Sequence, residues 1–552
     1  MPCLGELADL LASVLPASVE LIVRHVSSTP APSQDLFAAA PGHDPEPTFC
    51  ENHFLSVSIE SQQHEGAEII IFGMEVLVFN TAHLTTIFVS KADSTGLLHL
   101  LDMKERVSVL RLITSTFLSF LVKSHLRPGV RLVVSLFARA QDQYLFPGSI
   151  DNAEKHVLDD RGLIKWWCRA LDPIIREHGA ESVSEGSQVK VSAEAAKASA
   201  TAYLIVPGCD RFETRSFFPV SARSDPTNQP RWLASYPLQQ LCRDPAAPPR
   251  CLVPRFPDDP KTRFLIDLDD ELPESEDGEA PSSGSGHWKS VKSIDQFWEL
   301  MAFRQECSAG RLVGFLWLVV NPPGLLNTTT MASRAGQGPS VSQDAKSKHV
   351  DDNGVSAENA SLESDHGTHV AHGTKPPTNK AEDSAENSLD REVPHATTAV
   401  LPEKATLSSS TGKVPFHWPE SGRGEVVLQE ADYKKMMDGV LDQFYDFGEV
   451  AASTQFYIDQ VASLADQLTW GKRITGTCSP QDASQKFEVA NNLLSGDLLR
   501  KRKKPSQAKD EKDIDQAAVT EKQESKVASS TAEQPAAVNV LGAGLIRKKK
   551  KT

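Results

Sequence analysis

The first half of the chain carries several hydrophobic patterns that are typical of β-strands. Residues 54–60 alternate apolar and polar side chains with a period of two, which predicts a strand with one buried face. Residues 68–80 are almost continuously apolar, as in a strand that is covered on both sides. Shorter candidates lie at residues 86–89, 131–138 and 202–206. Together these segments predict one central sheet.

Other segments repeat their apolar residues at helical spacing. The spacing predicts helices over residues 105–125, 161–178 and roughly 293–309, and again within residues 430–470. The N-terminal segment is predicted to be an amphipathic helix. Its apolar face comprises Leu4, Leu7, Leu10, Leu11 and Leu15. Strands and helices that alternate in this way predict an α/β fold, a single large domain with a central mixed β-sheet surrounded by helices.

The composition changes sharply in the second half of the chain. No Phe, Tyr or Trp occurs between Trp317 and Phe416, and such a stretch buries too little apolar area to offset the entropy lost on ordering. We therefore expect a disordered, low-complexity insertion at residues 326–413. The helical segment at residues 414–480 has an apolar stripe that must pack against something. It is predicted to complete the domain that residues 1–325 begin.

The charge is distributed unevenly along the sequence. The chain of 552 residues has 57 basic and 73 acidic side chains and a formal net charge of −16. The C-terminal tail, residues 481–552, is predicted to be disordered and has the opposite sign, with 15 basic and 10 acidic residues. Basic runs at residues 500–504 and 547–551 favour import into the nucleus. A solvated charge run explains either of them alone equally well.

Several functional classes lack their sequence signals here. The longest apolar run near the middle, residues 312–320, is far shorter than the ~20 residues of a membrane-spanning helix. The N-terminus has no basic region of a secretory signal, and eight scattered cysteines without a CxxC pair disfavour a zinc ribbon or a disulfide framework. Neither a GxxxxGK[ST] nor a GxGxxG loop is present, nor the Gly-rich pyrophosphate loop of the large N-acetyltransferase superfamily.

A histidine motif at residues 366–372, HGTHVAH, resembles the histidine signature of subtilisin-like proteases. A protease needs that histidine held on a rigid scaffold beside a serine and an aspartate. Here the motif lies in the stretch without aromatic residues, so a protease is not expected. The three histidines could bind a metal loosely, but no metal cofactor is predicted.

Four segments are polar or aromatic where a plain core has no need of such residues. Residues 88–96 end a strand with an acid, and residues 143–147 follow another strand at a short distance. His156 precedes a helix that carries Lys-Trp-Trp, and residues 255–264 contain two adjacent acids between prolines. Core packing explains the tryptophans and a turn explains the acids. Spacing alone therefore favours the structural explanation for each segment.

Taken in order, FVSKAD, QYLFPGS, KHVLDDRGLIKWW, FPDDPKTRF and FWELMAFRQE resemble a family of fungal histone H3 acetyltransferases. These enzymes work with histone chaperones in replication-coupled nucleosome assembly. The resemblance extends from about residue 54 to residue 311. QDQYLF and the tryptophan-rich helix also resemble the metazoan CBP-type acetyltransferases, which bind acetyl-CoA without a Gly-rich loop. The resemblance implies the CBP-type acetyltransferase fold, acetyl-CoA as co-substrate and a nuclear location. The implied partners are histone H3 in H3–H4 and chaperones of the nucleosome-assembly and anti-silencing types.

The resemblance also implies site residues. Asp259 would be the acid/base residue with Asp258 beside it, and Trp167 and Tyr144 would line the channel for the substrate lysine. Lys261 is a candidate for self-acetylation. The residues implied for acetyl-CoA are Ala92, Asp93, Ser94, Arg106, Val107, Ser108, Val109, Leu110, Phe137, Gln141, His156, Val157, Leu158 and Trp166.

The roles of these residues remain open at this level. Repulsion between Asp258 and Asp259 could raise one pKa and supply a base, or the pair could simply attract a cationic lysine. The Tyr144 hydroxyl could donate to the leaving sulfur or orient an acid. Acidic residues within 267–277 could steer a histone or form a solvated loop. The alternatives to an enzyme are a non-catalytic chaperone-binding scaffold and a nucleic-acid-binding nuclear scaffold.

Overall fold

The computed structural model describes residues 3–101, 107–181, 197–272, 287–304, 307, 311–325 and 416–479. The predicted insertion at residues 326–413 and the tail at residues 481–552 lie outside the described residues. The same holds for the histidine motif at residues 366–372 and for Arg106, which was assigned to acetyl-CoA.

The strands of the described residues form one mixed sheet. They are β1 (Glu20–Ser28), β2 (Ala31–Ser33), β3 (Thr48–Ser61), β4 (Ala67–Asn80), β5 (Leu84–Ser94), β6 (Arg131–Ala138), β7 (Ser199–Ile205), β8 (Trp232–Leu233), β9 (Gly314–Asn321), β10 (Val426–Leu428) and β11 (Lys472–Thr475). Their order across the sheet is β10-β1-β3-β4-β5-β6-β9-β7-β8, with β11 paired to β1 and β2 paired to β3. The pairs β5–β6, β1–β10 and β7–β8 are parallel and the neighbouring pairs are antiparallel. The predicted mixed sheet is confirmed.

Helices cover both faces of this sheet. They are α1 (Cys3–Val14), α2 (Val109–His125), α3 (Asp160–Arg176), α4 (Arg211–Arg215), α5 (Leu238–Leu241), α6 (Lys261–Asp269), α7 (Ile294–Met301), α8 (Glu430–Asp442) and α9 (Val450–Ala465). Leu316 and Leu318 of β9 face a core shared with α1, α2, α3, α8 and α9. The alternate residues Phe315 and Trp317 face a second core shared with α6 and α7. None of the helices in the described ranges is long and apolar enough to cross a membrane.

The strand predicted at residues 86–89 is longer in the structure. β5 continues to Ser94 because it stays paired with β4, up to Phe72 opposite Ser94, across an irregularity in register between Glu75 and Val76. Lys91 and Asp93 interrupt the apolar run, which is why the hydrophobic pattern ends too early. The extension places the polar end of β5 beside the loop that follows β6.

The segment at residues 416–479 completes the sheet and its covering layer. β10 and β11 both pair with β1, at the edge opposite to β8. α9 lies over β4, where the Thr454 hydroxyl accepts a hydrogen bond from the backbone N–H of Ile70 at 2.9 Å. The Ser56 hydroxyl of β3 donates to the Tyr457 hydroxyl at 3.1 Å. These buried bonds tie residues 416–479 into the same core as the N-terminal half.

Replacing Tyr457 with alanine tests this shared core. Tyr457 is 1% exposed, so the substitution should lower the free energy of unfolding by about 3–5 kcal/mol. Phe456, on the same helix but 43% exposed, is the matched control, and Phe456→Ala should cost less than ~1 kcal/mol. Urea unfolding followed by fluorescence measures both. Equal and small effects would mean that residues 416–479 do not share the cooperative core.

Candidate active site

The carboxylate of Asp93, near the end of β5, holds the loop that follows β6. One oxygen accepts the backbone N–H groups of Tyr144 at 2.7 Å and Leu145 at 3.0 Å. The other accepts the N–H of Ser94 at 2.8 Å and the Lys155 ammonium at 3.0 Å. The side chains of Asp93 and Lys155 are 8% and 5% exposed. The Asp93 carboxylate therefore anchors the loop, and its hydrogen-bonding capacity is used within the protein.

Tyr144 is carried by this anchored loop. Its hydroxyl donates to the backbone carbonyl of Arg139, just beyond the end of β6. Burial raises the pKa of Tyr144, so the hydroxyl stays protonated at neutral pH. The two roles considered from the sequence were donation to a sulfur and orientation of an acid. In this structure the Tyr144 hydroxyl instead donates its hydrogen to the backbone carbonyl of Arg139.

The two adjacent acids occupy different environments. Asp258 has a φ of +56°, its side chain is 67% exposed, and it pairs with the Lys91 ammonium of β5 at 3.0 Å. Burial alone would lower the pKa of Lys91, but Glu75 and Asp258 outweigh burial and raise it. Asp259 is buried and pairs with the Lys261 ammonium. Each acid therefore has its own lysine partner, so mutual repulsion is not what organises the pair.

The Asp259–Lys261 pair is enclosed at the start of α6. Asp259 also accepts the backbone N–H of Lys261 at 2.9 Å, where a helix N-terminus favours negative charge. The Lys261 nitrogen lies 4.9 Å from the ring centre of Phe315 and 5.8 Å from that of Phe256. The aromatic faces and the carboxylate together compensate a buried ammonium.

These segments meet at the carboxyl end of β6. Phe137 and Ala138 of β6 pair with Phe315 and Gly314 of β9. A Cβ atom at Gly314 would lie only 2.8 Å from Ile164 of α3, so this glycine allows α3 to approach the sheet closely. The ring of Phe315 contacts the Lys261 ammonium. The Tyr144 hydroxyl donates to the carbonyl of Arg139, the residue after Ala138. Tyr144, the start of α6 and the first turns of α3 therefore share one end of the sheet.

The paired tryptophans of α3 differ in exposure. Trp167 is 6% exposed and belongs to the main core, whereas Trp166 is half-buried, and the two rings meet edge to face at 5.0 Å. Core packing thus accounts for most of the Trp167 surface. Trp166 offers the more accessible aromatic face.

The other residues assigned to acetyl-CoA differ in their exposure. Val109 is buried, and Gln141 and His156 are exposed. Half-buried positions are occupied by Ala92, Ser94, Val107, Ser108, Leu110, Phe137, Val157 and Leu158. Val107 and Ser108 directly precede α2, and Leu110 lies in its first turn.

Arg111 and Arg169 are site candidates that the sequence analysis missed. They belong to the packed helices α2 and α3, and both are half-buried. Burial, together with the neighbouring charge of Arg169, lowers the pKa of Arg111. Within the described ranges neither guanidinium has a carboxylate partner. Two neighbouring cations, one of them in the first turn of α2, are suited to bind phosphates. The only sequence signal is their place within the predicted helices.

Some acids of residues 267–277, which were considered for steering histones, bind other side chains of the same chain. Asp267 forms an ion pair with Arg304, and Asp269 with Arg255. Glu271 accepts two hydrogen bonds from Ser290. These acids therefore hold α6 to its neighbours. Asp270 is exposed, and the acids beyond residue 272 lie outside the described residues.

Comparison with known proteins decides the family. The model of the histone acetyltransferase KAT11-type domain matches residues 7–130 and 124–460. The histone acetyltransferase rtt109 of Aspergillus flavus is 50% identical over 560 residues and covers 99% of both chains. The chain belongs to the KAT11-type histone acetyltransferases. The resemblance to fungal histone acetyltransferases is thereby confirmed.

Two further relatives agree with this KAT11-type assignment. The rtt109 of Schizosaccharomyces pombe is 34% identical over 255 residues, 46% of this chain and 58% of that protein. The crystal structure of Rtt109 from Aspergillus fumigatus is 54% identical with a TM-score of 0.68, covering 86% of this chain and 99% of that one. The chain thus has the acetyltransferase fold and is a histone acetyltransferase, an activity that uses acetyl-CoA.

Replacing Asp93 with asparagine tests its role as the anchor of this KAT11-type site. The substitution leaves Lys155 as a buried, unpaired charge, so stability should fall by about 3–5 kcal/mol. The amides of Tyr144 and Leu145 should exchange hydrogen faster because they lose an anionic acceptor. The exposed Asp142→Asn in the same loop is the control. Unchanged exchange at both amides would show that the loop does not depend on Asp93.

Proposed function

We propose that this enzyme acetylates lysines of histone H3 within H3–H4, at the end of the sheet where Tyr144 and Asp259 lie. The observation that carries the proposal is the buried Asp259–Lys261 pair at the start of α6. A buried carboxylate with a lysine already beside it shows that this place accommodates a lysine side chain. A substrate lysine brought to it meets a negative charge and aromatic walls.

Acetyl-CoA supplies the acetyl group as a thioester. The pair Arg111 and Arg169 and the start of α2 form a cationic region suited to its phosphates. The thioester of acetyl-CoA would then lie between the half-buried end of β5, the start of α3 and the Tyr144 loop. We retain the assigned residues Ala92, Ser94, Phe137 and the surroundings of Trp166 as proposed contacts.

Removal of a proton from the substrate lysine is the main chemical difficulty. A free lysine has a pKa of ~10.4, so less than ~1% of the amine groups are neutral at pH 7. Asp259 is the carboxylate proposed to attract the ammonium and to accept its proton. The amine then attacks the thioester carbon, the carbon–sulfur bond breaks, and the coenzyme leaves as a thiol. Once Asp259 has taken the proton, burial of the amine disfavours its charged form and helps to keep it neutral.

Self-acetylation of Lys261 fits this arrangement. While Lys261 is charged, its ammonium is bonded to the Asp259 carboxylate, which therefore cannot bind a substrate lysine. Transfer of one acetyl group from acetyl-CoA to the Lys261 nitrogen forms an amide and releases the thiol and a proton. The amide is neutral, which frees Asp259 to interact with a substrate lysine. Asp258, already paired with Lys91, is proposed to contribute charge rather than to transfer protons.

The cellular setting of the proposal comes from the family resemblance. We propose that chaperones of the nucleosome-assembly and anti-silencing types present H3–H4, that the enzyme acts in replication-coupled nucleosome assembly, and that it is nuclear. The basic runs of the tail support import. We also propose that residues 1–325 and 414–480 form the catalytic domain, which the pairing of β10 and β11 with β1 supports.

The role of Asp259 is tested in a background where Lys261 is neutral. Lys261→Gln should remain active, because glutamine has no charge and resembles acetyl-lysine. Adding Asp259→Asn should lower kcat by ~10²-fold or more without leaving a buried unpaired ammonium. Asp258→Asn in the same background is the matched control and should lower kcat less. Steady-state acetylation of H3–H4 measures all of these, and a double variant that turns over as fast as Lys261→Gln would refute the role.

The phosphate site is tested separately. The double substitution Arg111→Gln and Arg169→Gln should weaken acetyl-CoA binding by about tenfold or more, since it removes two charge-assisted contacts. Arg161→Gln, an exposed arginine of α3, should have little effect. Isothermal titration calorimetry gives the dissociation constants. Equal affinities for the double variant and the wild type would place the phosphates elsewhere.

A further inference from the structure

A cluster of ionisable side chains lies in the core and plays no part in the proposed function. Glu51 and His53 on β3 and His125 at the end of α2 are at most 1% exposed. One ligand atom from each lies within 4.8 Å of those of the other two. His25 of β1 stacks on His53 with ring centres 5.2 Å apart. Such a group needs a physical reason to be buried, because charged and polar groups are costly in a core.

The hydrogen bonds of His125 leave a cation to be accounted for. Its Nδ1–H donates to the backbone carbonyl of Leu121 at 2.9 Å. Its Nε2 lies 2.7 Å from the Glu51 carboxylate. A neutral imidazole that donates through Nδ1 has only a lone pair at Nε2. Two acceptors this close require a positive ion between them, which is either a proton or a metal.

His53 offers a second imidazole lone pair. Its Nδ1 is 3.0 Å from Nε2 of His25, while its own Nε2 is buried and has no hydrogen-bond partner within the described ranges. Histidines that bind metals commonly hold the other ring nitrogen in a hydrogen bond of this kind. One of the two ring nitrogens in the His25–His53 contact must donate the hydrogen. When His53 donates through Nδ1, its Nε2 carries the lone pair.

We propose that Glu51, His53 and His125 bind a divalent first-row transition metal, with Zn²⁺ the best match. Two imidazoles and one carboxylate are ligands that Zn²⁺ accepts, at about 2.0–2.2 Å. Tetrahedral coordination separates ligand atoms by ~3.4 Å, so Glu51 and His125 need to part by less than ~1 Å. The ion replaces the proton between them.

His417 is the candidate for a fourth ligand. Its ring centre is 6.4 Å from that of His125, and its Nε2 is buried without a hydrogen-bond partner among the described residues. Coordination by His417 requires its ring to move toward His125, and it would link the segment after the insertion to β3 and α2. With all three core ligands buried, the metal's role is structural. This site departs from the sequence-based expectation of no metal.

The test measures metal in the full-length protein, prepared without a polyhistidine tag. Elemental analysis should find about one zinc per chain. His53→Gln should lose it. A triple variant, His366→Gln, His369→Gln and His372→Gln, is the matched control and should keep the zinc, because those histidines are not among the proposed ligands. Loss of zinc in the triple variant but not in His53→Gln would overturn the proposal.

A second measurement keeps the proposal testable if His53→Gln does not fold. Wild-type protein is stripped with a chelator and its Tm is followed with added Zn²⁺, or its visible spectrum with added Co²⁺. Binding to the folded state alone should raise the Tm, and tetrahedral Co²⁺ should give intense visible bands. No metal in the purified wild type, together with an unchanged Tm and no Co²⁺ bands, would show that a proton holds Glu51 to His125.

Discussion

The position of the loop that carries Tyr144, at the candidate active site, depends on one buried carboxylate. The Asp93 carboxylate accepts hydrogen bonds from backbone N–H groups of the loop after β6 and from the Lys155 ammonium. Asp93 lies near the end of β5, which pairs with β4. Charge-assisted bonds to an anion are stronger than neutral ones, so the loop is fixed to the sheet rather than merely packed on it. Tyr144 inherits its position from these bonds. The candidate site residue Tyr144 thus lies on an irregular loop, and bonds to the sheet keep that loop rigid.

Each acid of this site is paired with a lysine. Asp93 pairs with Lys155 and Asp258 with Lys91, which come from distant segments, whereas Asp259 pairs with Lys261 two residues further along the chain. Removing one member of a buried pair costs far more than the pair contributes. In the proposed mechanism, neutralising Lys261 leaves Asp259 as the one carboxylate of this set that is free to bind a substrate lysine. Asp93 is not freed in this way, and its role stays structural.

Hydrophobic patterns predicted the regular parts of the fold well. β4 and β6 are mostly apolar, and α3 has a clear apolar stripe, so their bounds agree with prediction to within one or two residues. β1 was missed because buried Arg24 and His25 interrupt its apolar run. β10 and β11 were missed because strands of three or four residues have no measurable period, and α6 because its start looks like a proline turn. The site acids and Lys261 came from family resemblance. Lys155, the partner of Asp93, is brought to it only by folding, because the two residues are 62 positions apart.

A crystal structure of this enzyme with acetyl-CoA bound tests the central claim most directly. The account places the thioester between the Tyr144 loop and the Asp259–Lys261 pair, with the phosphates near Arg111 and Arg169. The decisive measurement is the distance from the thioester carbon to the Asp259 carboxylate, which should leave room for one lysine side chain between them. A coenzyme bound on another face of the sheet, or with its thioester directed away from Asp259, would contradict the account.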